Sequence, residues 1–81
     1  MMLDVKLFAR ARDIAGNDSV QIDVPDDANV ADLRQALGQQ IPQLQGLLPN
    51  LLFAIGTDYA DDATLIAPDT EVACFPPVSG G

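Results

Sequence analysis

The sequence predicts an α+β domain in which one main helix covers one face of a small mixed sheet. Three observations carry that reading. Segments near both ends alternate apolar and polar residues, Leu51 to Ile55 is apolar on both faces, and a single stretch between them repeats at helical spacing. With 81 residues, the chain has room for one core only.

Leu3, Val5 and Leu7 alternate with Asp4, Lys6 and Phe8, the pattern of a half-buried first strand. Period two is lost from Arg10 to Asp18, and Gly16-Asn17-Asp18 is a turn signal. Ser19 to Val24 alternates again and stops at Pro25, giving a second strand in a hairpin with the first. Asn29 is a good helix N-cap, and Asp32 stands three residues on, in capping-box position. Val30, Leu33, Leu37 and Ile41 then fall on one helical face; Gly38 weakens the last turn and Pro42 ends it. Gln43 to Asn50 reads as a loop with Leu44, Leu47 and Leu48 turned inward. Leu51 to Ile55 is expected to be a central strand, covered on one side and paired on both edges. Tyr59 and Leu65-Ile66 mark short extended pieces, and Glu71 to Phe75 is the last strand, with Val72 and Cys74 sharing a face.

Composition narrows the function. Twelve acidic residues against four basic ones give a net charge of -8, and no cation follows Arg34. That field opposes phosphate, so nucleic acid and anionic membranes are poor partners and a basic protein suits better. The chain has no histidine, the commonest general base and metal ligand. One cysteine cannot close an internal disulfide, which points to a reducing compartment, and Asp4, Lys6 and Arg10 interrupt any secretory signal; a cytoplasmic protein is expected. The carboxylates Asp58, Asp61 and Asp62 lack the spacing of a calcium loop and read as loop solvation, so no metal site is expected. Cys74 shares the Val72 face and reads as a small buried hydrophobe rather than a nucleophile.

Beyond the domain, residues 1–75, the chain continues as Pro76-Pro77-Val78-Ser79-Gly80-Gly81. Two prolines hold the exit from the strand extended, and the four residues after them reach roughly 13 Å at about 3.3 Å each. Glycines without a Cβ ask only that backbone fit where they go. Such an end reads either as a frayed terminus or as an arm carrying a carboxylate into a narrow channel. A free carboxylate is a poor electrophile, so the second reading needs a partner to activate it, for instance as an acyl-adenylate.

Phe75-Pro76-Pro77-Val78-Ser79-Gly80-Gly81, with Leu7-Phe8-Ala9-Arg10-Ala11-Arg12-Asp13 and the helix Val30 to Leu37, resembles the small subunits of molybdopterin synthase, MoaD-type sulfur carriers of the ubiquitin-like ThiS/MoaD family. The resemblance implies a β-grasp fold with the last strand parallel beside the first. It implies a carrier that is not catalytic alone but works within a heterotetrameric synthase. The domain itself would bind no cofactor, and ATP would be used by a MoeB-type adenylyltransferase that adenylates Gly81. A desulfurase or rhodanese-type donor would convert Gly81 to a thiocarboxylate. The large, MoaE-type subunit would receive the tail and pass its sulfur to cyclic pyranopterin monophosphate. In that scheme Gly80 gives clearance, while Pro76, Pro77, Val78 and Ser79 present the end. Two departures touch the body only: Gly56-Thr57-Asp58 replaces an Asn-containing turn, and Cys74 stands where relatives carry an aromatic.

Phe8 and Phe75 are out of register with the apolar positions of their strands, which places both rings on the face away from the helix, with Tyr59 joining them. An apolar patch beside the tail exit is a docking surface, whereas the same rings could cover a loop of their own domain; the resemblance favours docking. Arg12 either meets carboxylates of a partner or pairs with Asp13, and the resemblance assigns it to the partner. Three alternatives share parts of this description: a thiazole-forming ThiS-type carrier, a ubiquitin-like modifier joined to lysines through Gly81, and an interaction domain with an inert end.

Overall fold

A computed structural model describes residues 1–77. Val78, Ser79, Gly80 and Gly81, the expected reactive end, lie outside the described residues.

Strand β1 (Met2–Leu7) buries Leu3, Val5 and Leu7 and turns the alternate residues outward, as the period-two pattern predicts. It pairs antiparallel with β2 (Ser19–Asp23), but not through a tight turn. A seven-residue helix, α1 (Ala9–Ala15), fills the connection and corrects the expected hairpin. Its first residue, Ala9, enters with φ 54, and Gly16 stops it at φ 80, where the Gly16 N–H donates to the Arg12 carbonyl. Gly16 thus serves as a left-handed helix cap, a conformation that costs glycine little.

The main helix, α2 (Val30–Gln40), starts where the sequence places it. The Asn29 side chain accepts from the Asp32 N–H at 2.9 Å, and the Asp32 carboxylate accepts from the Asn29 N–H at 3.0 Å. Val30, Leu33 and Leu37 are fully buried, and Ile41 packs partly against the same core. Gly38 has a use that helix propensity hides. A Cβ there would stand 2.5 Å from Leu48 Cδ1, so its absence lets the following loop lie against the helix. That loop holds two single 3₁₀ turns, Pro42–Leu44 and Leu48–Asn50, and buries Leu44 completely.

Strands β3 (Leu52–Ile55), β4 (Asp58–Ala60) and β5 (Glu71–Phe75) complete a sheet of order β2-β1-β5-β3-β4. β3 pairs on both edges as expected, and Leu65 forms only an isolated bridge to Asn29. β5 lies at the centre, parallel to β1 and antiparallel to β3. Val72, Cys74 and Phe53 join Leu3, Val5 and Leu7 in the core beneath α2. Among the described residues no polar or charged side chain is buried.

Candidate functional site

The last residue of the central strand is Phe75, and the prolines follow it at once. Ladders on both sides anchor this exit: Cys74 is in register with Leu7 of β1 and Phe53 of β3, and the Phe8 N–H donates to the Cys74 carbonyl at 3.1 Å. Proline offers no N–H, so the pairing cannot continue into Pro76. A segment attached here leaves from the central strand of the sheet.

Register decides which side chains surround the exit. Because Leu7 and Cys74 face the core, Phe8 and Phe75 face the other way, as expected; the Phe8 backbone is extended at φ -125 and ψ 154. Phe8 is 45% exposed and Tyr59 75% exposed. The rings of Tyr59 and Phe75 lie 5.8 Å apart at 57°, a tilted aromatic pair. Leu52, in register with Phe75 and 39% exposed, extends the patch; it was hidden inside an apolar run that gave no clue to its face. Between β1 and β4 this face is floored by two small residues, Ala73 and Ala54. Lys6, Ala73, Ala54 and Tyr59 are successive partners across four strands.

Arg12 lies at the rim of this face. With Lys6, Leu7, Phe8, Asp18 and Ser19 it lines a shallow depression. Its Nε stands 3.8 Å from Asp13 and 3.9 Å from Asp18, and its side chain is half exposed. The fold therefore brings Phe8 and Arg12 together on one side of the exit, and Tyr59 and Phe75 on the other.

Cys74 has no accessible surface, and burial pushes its thiol up to about 12, against a smaller opposing pull from Arg34. It holds its proton at neutral pH and cannot act as a nucleophile there. The acidic loop also has structural partners. Asp61 Oδ1 accepts from the Ala63 N–H and the Thr64 hydroxyl, and Asp62 accepts from Arg34 at 2.8 Å. Among the described residues no cluster of potential metal ligands occurs, and no helix is long and apolar enough to cross a membrane.

Sequence reasoning overlooked Arg34. One of its nitrogens donates to the Leu48 and Leu51 carbonyls, the other to Asp62, and the guanidinium lies 5.0 Å from the centre of the Phe53 ring. This side chain ties α2 to the entrance of β3, the strand whose Leu52 pairs with Phe75. No local signal marks it, because the carbonyls it meets lie fourteen and seventeen residues away.

A central strand parallel to the first, a helix across one face and a bare apolar patch on the other define a ubiquitin-like β-grasp domain. Its relatives make the class specific. The chain belongs to the ThiS family, whose model matches residues 5–81. It is 35% identical to a molybdopterin synthase sulfur carrier subunit from Dictyostelium discoideum, over 95% of this chain and 93% of that one. Identity to the small archaeal modifier protein 1 of Haloferax volcanii is 33%, over 98% of this chain and all of that one. A crystal structure of that modifier superimposes with a TM-score of 0.85 at 31% identity, covering both chains fully.

Proposed function

We propose that the chain is the sulfur-carrier subunit of a molybdopterin synthase, with Gly81 as the residue that bears the sulfur. One observation carries the reading: the family match runs through the tail to residue 81, and that tail follows a central strand whose end is ringed by exposed aromatics. The names of relatives such as the Dictyostelium discoideum protein support the pathway. An adenylyltransferase and ATP convert the Gly81 carboxylate to an acyl-adenylate, releasing pyrophosphate. The persulfide of a desulfurase or rhodanese-type donor attacks the acyl carbon and displaces AMP, and a thiol reductant then cleaves the resulting acyl disulfide, freeing the donor's cysteine and leaving a thiocarboxylate on Gly81.

The domain's own residues contribute presentation. Phe8, Tyr59, Phe75 and Leu52 supply the apolar contact for the activating enzyme and then for the large subunit, and Arg12 supplies a charge at the rim. Pro76 and Pro77 keep the start of the arm extended, and Gly80 lets the end pass a channel too narrow for side chains. Sulfur then passes to cyclic pyranopterin monophosphate held by the large subunit, and Gly81 returns to a carboxylate.

Intact-mass analysis tests the sequence of events. With ATP, adenylyltransferase and sulfur donor, the protein gains about 16 Da, one oxygen replaced by sulfur. Adding the large subunit and the pterin precursor returns the original mass and yields sulfurated pterin. A charged carrier that keeps its sulfur under those conditions overturns the pterin assignment. The similarity to a small archaeal modifier favours a second reading, in which Gly81 joins lysines of other proteins; covalent conjugates in place of the mass gain would establish it.

A further inference from the structure

We propose that Lys6 is the acceptor through which two copies of this chain become joined, by an isopeptide bond from Gly81 of one to Lys6 of the other, and that the bond closes the docking face of the acceptor. The inference rests on the activation of Gly81 proposed above. An acyl-adenylate that is not met by sulfur reacts with an available amine, so the question is which amines the chain offers.

Lys6 is the sole lysine. The three arginines stay protonated and do not acylate. The α-amino group of Met1 is the other candidate, and the fold occupies it: it donates to the Val24 carbonyl at 2.7 Å and to Asp26 at 3.1 Å, with Asp23 at 3.8 Å, and Met1 itself is largely buried. The Lys6 side chain is 53% exposed and makes one ion pair among the described residues, to Glu71 at 3.6 Å. Glu71, the sole glutamate, holds the Lys6 side chain over β5 through this ion pair.

The surroundings of Lys6 suit a glycine end. Its neighbours across the sheet are Ala73 and then Ala54, so a low floor of methyl groups extends from the amine. An incoming Gly-Gly segment has no Cβ and can lie against such a floor without displacing side chains. In the reaction the Lys6 nitrogen forms an amide bond with the Gly81 carbonyl carbon. The bond from that carbon to the phosphate oxygen breaks, AMP leaves with the electron pair, and the protons of the ammonium go to solvent. ATP, already used by the adenylyltransferase, is the only co-reactant. Since Lys6 precedes Phe8 by two residues and lines the same depression as Phe8 and Arg12, an acceptor so modified can no longer dock.

The test incubates the full chain with ATP and adenylyltransferase, with the sulfur donor left out, and measures intact mass. The expected product has twice the 8.6 kDa chain mass less one water, with the bond mapped to Lys6. Lys6→Arg abolishes it, yet with the donor present the variant still gains about 16 Da, showing that activation is intact. Linked product in Lys6→Arg, or a bond mapped to Met1, overturns the proposal. So does the absence of linked product, with the donor withheld, from protein that gains about 16 Da when the donor is supplied; that result leaves the carrier reading standing. Failure of both reactions would remove the carrier reading as well.

Discussion

Replacing Arg34 by Met keeps an apolar stem of similar length and removes every polar contact the guanidinium makes. Three hydrogen bonds disappear, to the carbonyls of Leu48 and Leu51 and to Asp62, together with the contact over Phe53. Hydrogen bonds from charged donors contribute about 1.5–3 kcal/mol each, and the partial exposure of Arg34 places the two carbonyl bonds at the low end. The Asp62 carboxylate is mostly exposed, so that pair adds at most about 1 kcal/mol. Water can reach the abandoned carbonyls in part, which leaves a net loss of about 3 kcal/mol. For a domain of this size each kcal/mol lowers the melting temperature by about 4–8 °C, so Arg34→Met should melt about 12–24 °C below the parent. Urea unfolding followed by far-ultraviolet circular dichroism measures the same loss directly. Asp62→Asn, which removes only the exposed partner, should lose less than about 1 kcal/mol. If Arg34→Met unfolds within about 0.5 kcal/mol of the parent, the tie between α2 and the entrance of β3 is not what holds that region.

Tyr59→Ala should leave the melting temperature within a few degrees and weaken binding of the large subunit by about 30-fold, the effect of losing an interface anchor worth about 2 kcal/mol; calorimetric titration reads it. Asn29→Ala removes the reciprocal cap of α2 and should reduce unfolding free energy by about 1 kcal/mol. The Cys74 thiol gives a pH dependence with a definite sign. Its value is raised from 9.0 in the open chain to about 12 in the fold, so above pH 9 the unfolded state loses a proton that the native state retains. Stability conferred by the neutral thiol is therefore complete below pH 9 and declines as pH rises towards 12, by at most about 1.4 kcal/mol per unit. Comparing the alkaline unfolding of the parent with that of Cys74→Ala isolates this contribution. Deletion of Gly81 should abolish the 16 Da gain, while the melting temperature changes by less than about 1 °C, since the core is complete within the described residues.

Strands and main helix were legible because each buries one face, and burial imposes its period on the sequence. Leu3, Val5 and Leu7 announce β1, and Asn29 with Asp32 announces α2, since these residues do their work locally. The first helix escaped notice for an equally physical reason. Its seven residues bury only Ala11 fully, it has no side-chain N-cap, and it begins at a left-handed alanine. The parallel pairing of β1 with β5 also lies outside what alternation can reveal, because period two says which face is buried and not which strand lies alongside. It was accessible only through the resemblance carried by the Phe75 to Gly81 motif and its companions.

At the candidate site the aromatics could be assigned by parity within their strands. Phe8 follows the inward Leu7, and Phe75 follows the inward Cys74, so their outward direction was fixed once the strands were. Leu52 and Arg34 could not be assigned in that way. Leu52 sits in a run of apolar residues where parity is ambiguous until the Leu52–Phe75 register is known. Arg34 acts on carbonyls fourteen and seventeen residues away, a relation visible only in the folded chain.

In the proposed mechanism the working atom belongs to the main chain of Gly81, and the side chains carry and present it. Fragmentation mass spectrometry of Cys74→Ala protein after incubation with ATP, adenylyltransferase and sulfur donor addresses that directly. The 16 Da increment should appear in every fragment containing Gly81 and in none ending at Gly80 or earlier. Sulfur found elsewhere in the chain, or absent because Cys74 has been removed from a protein that still folds, would contradict it.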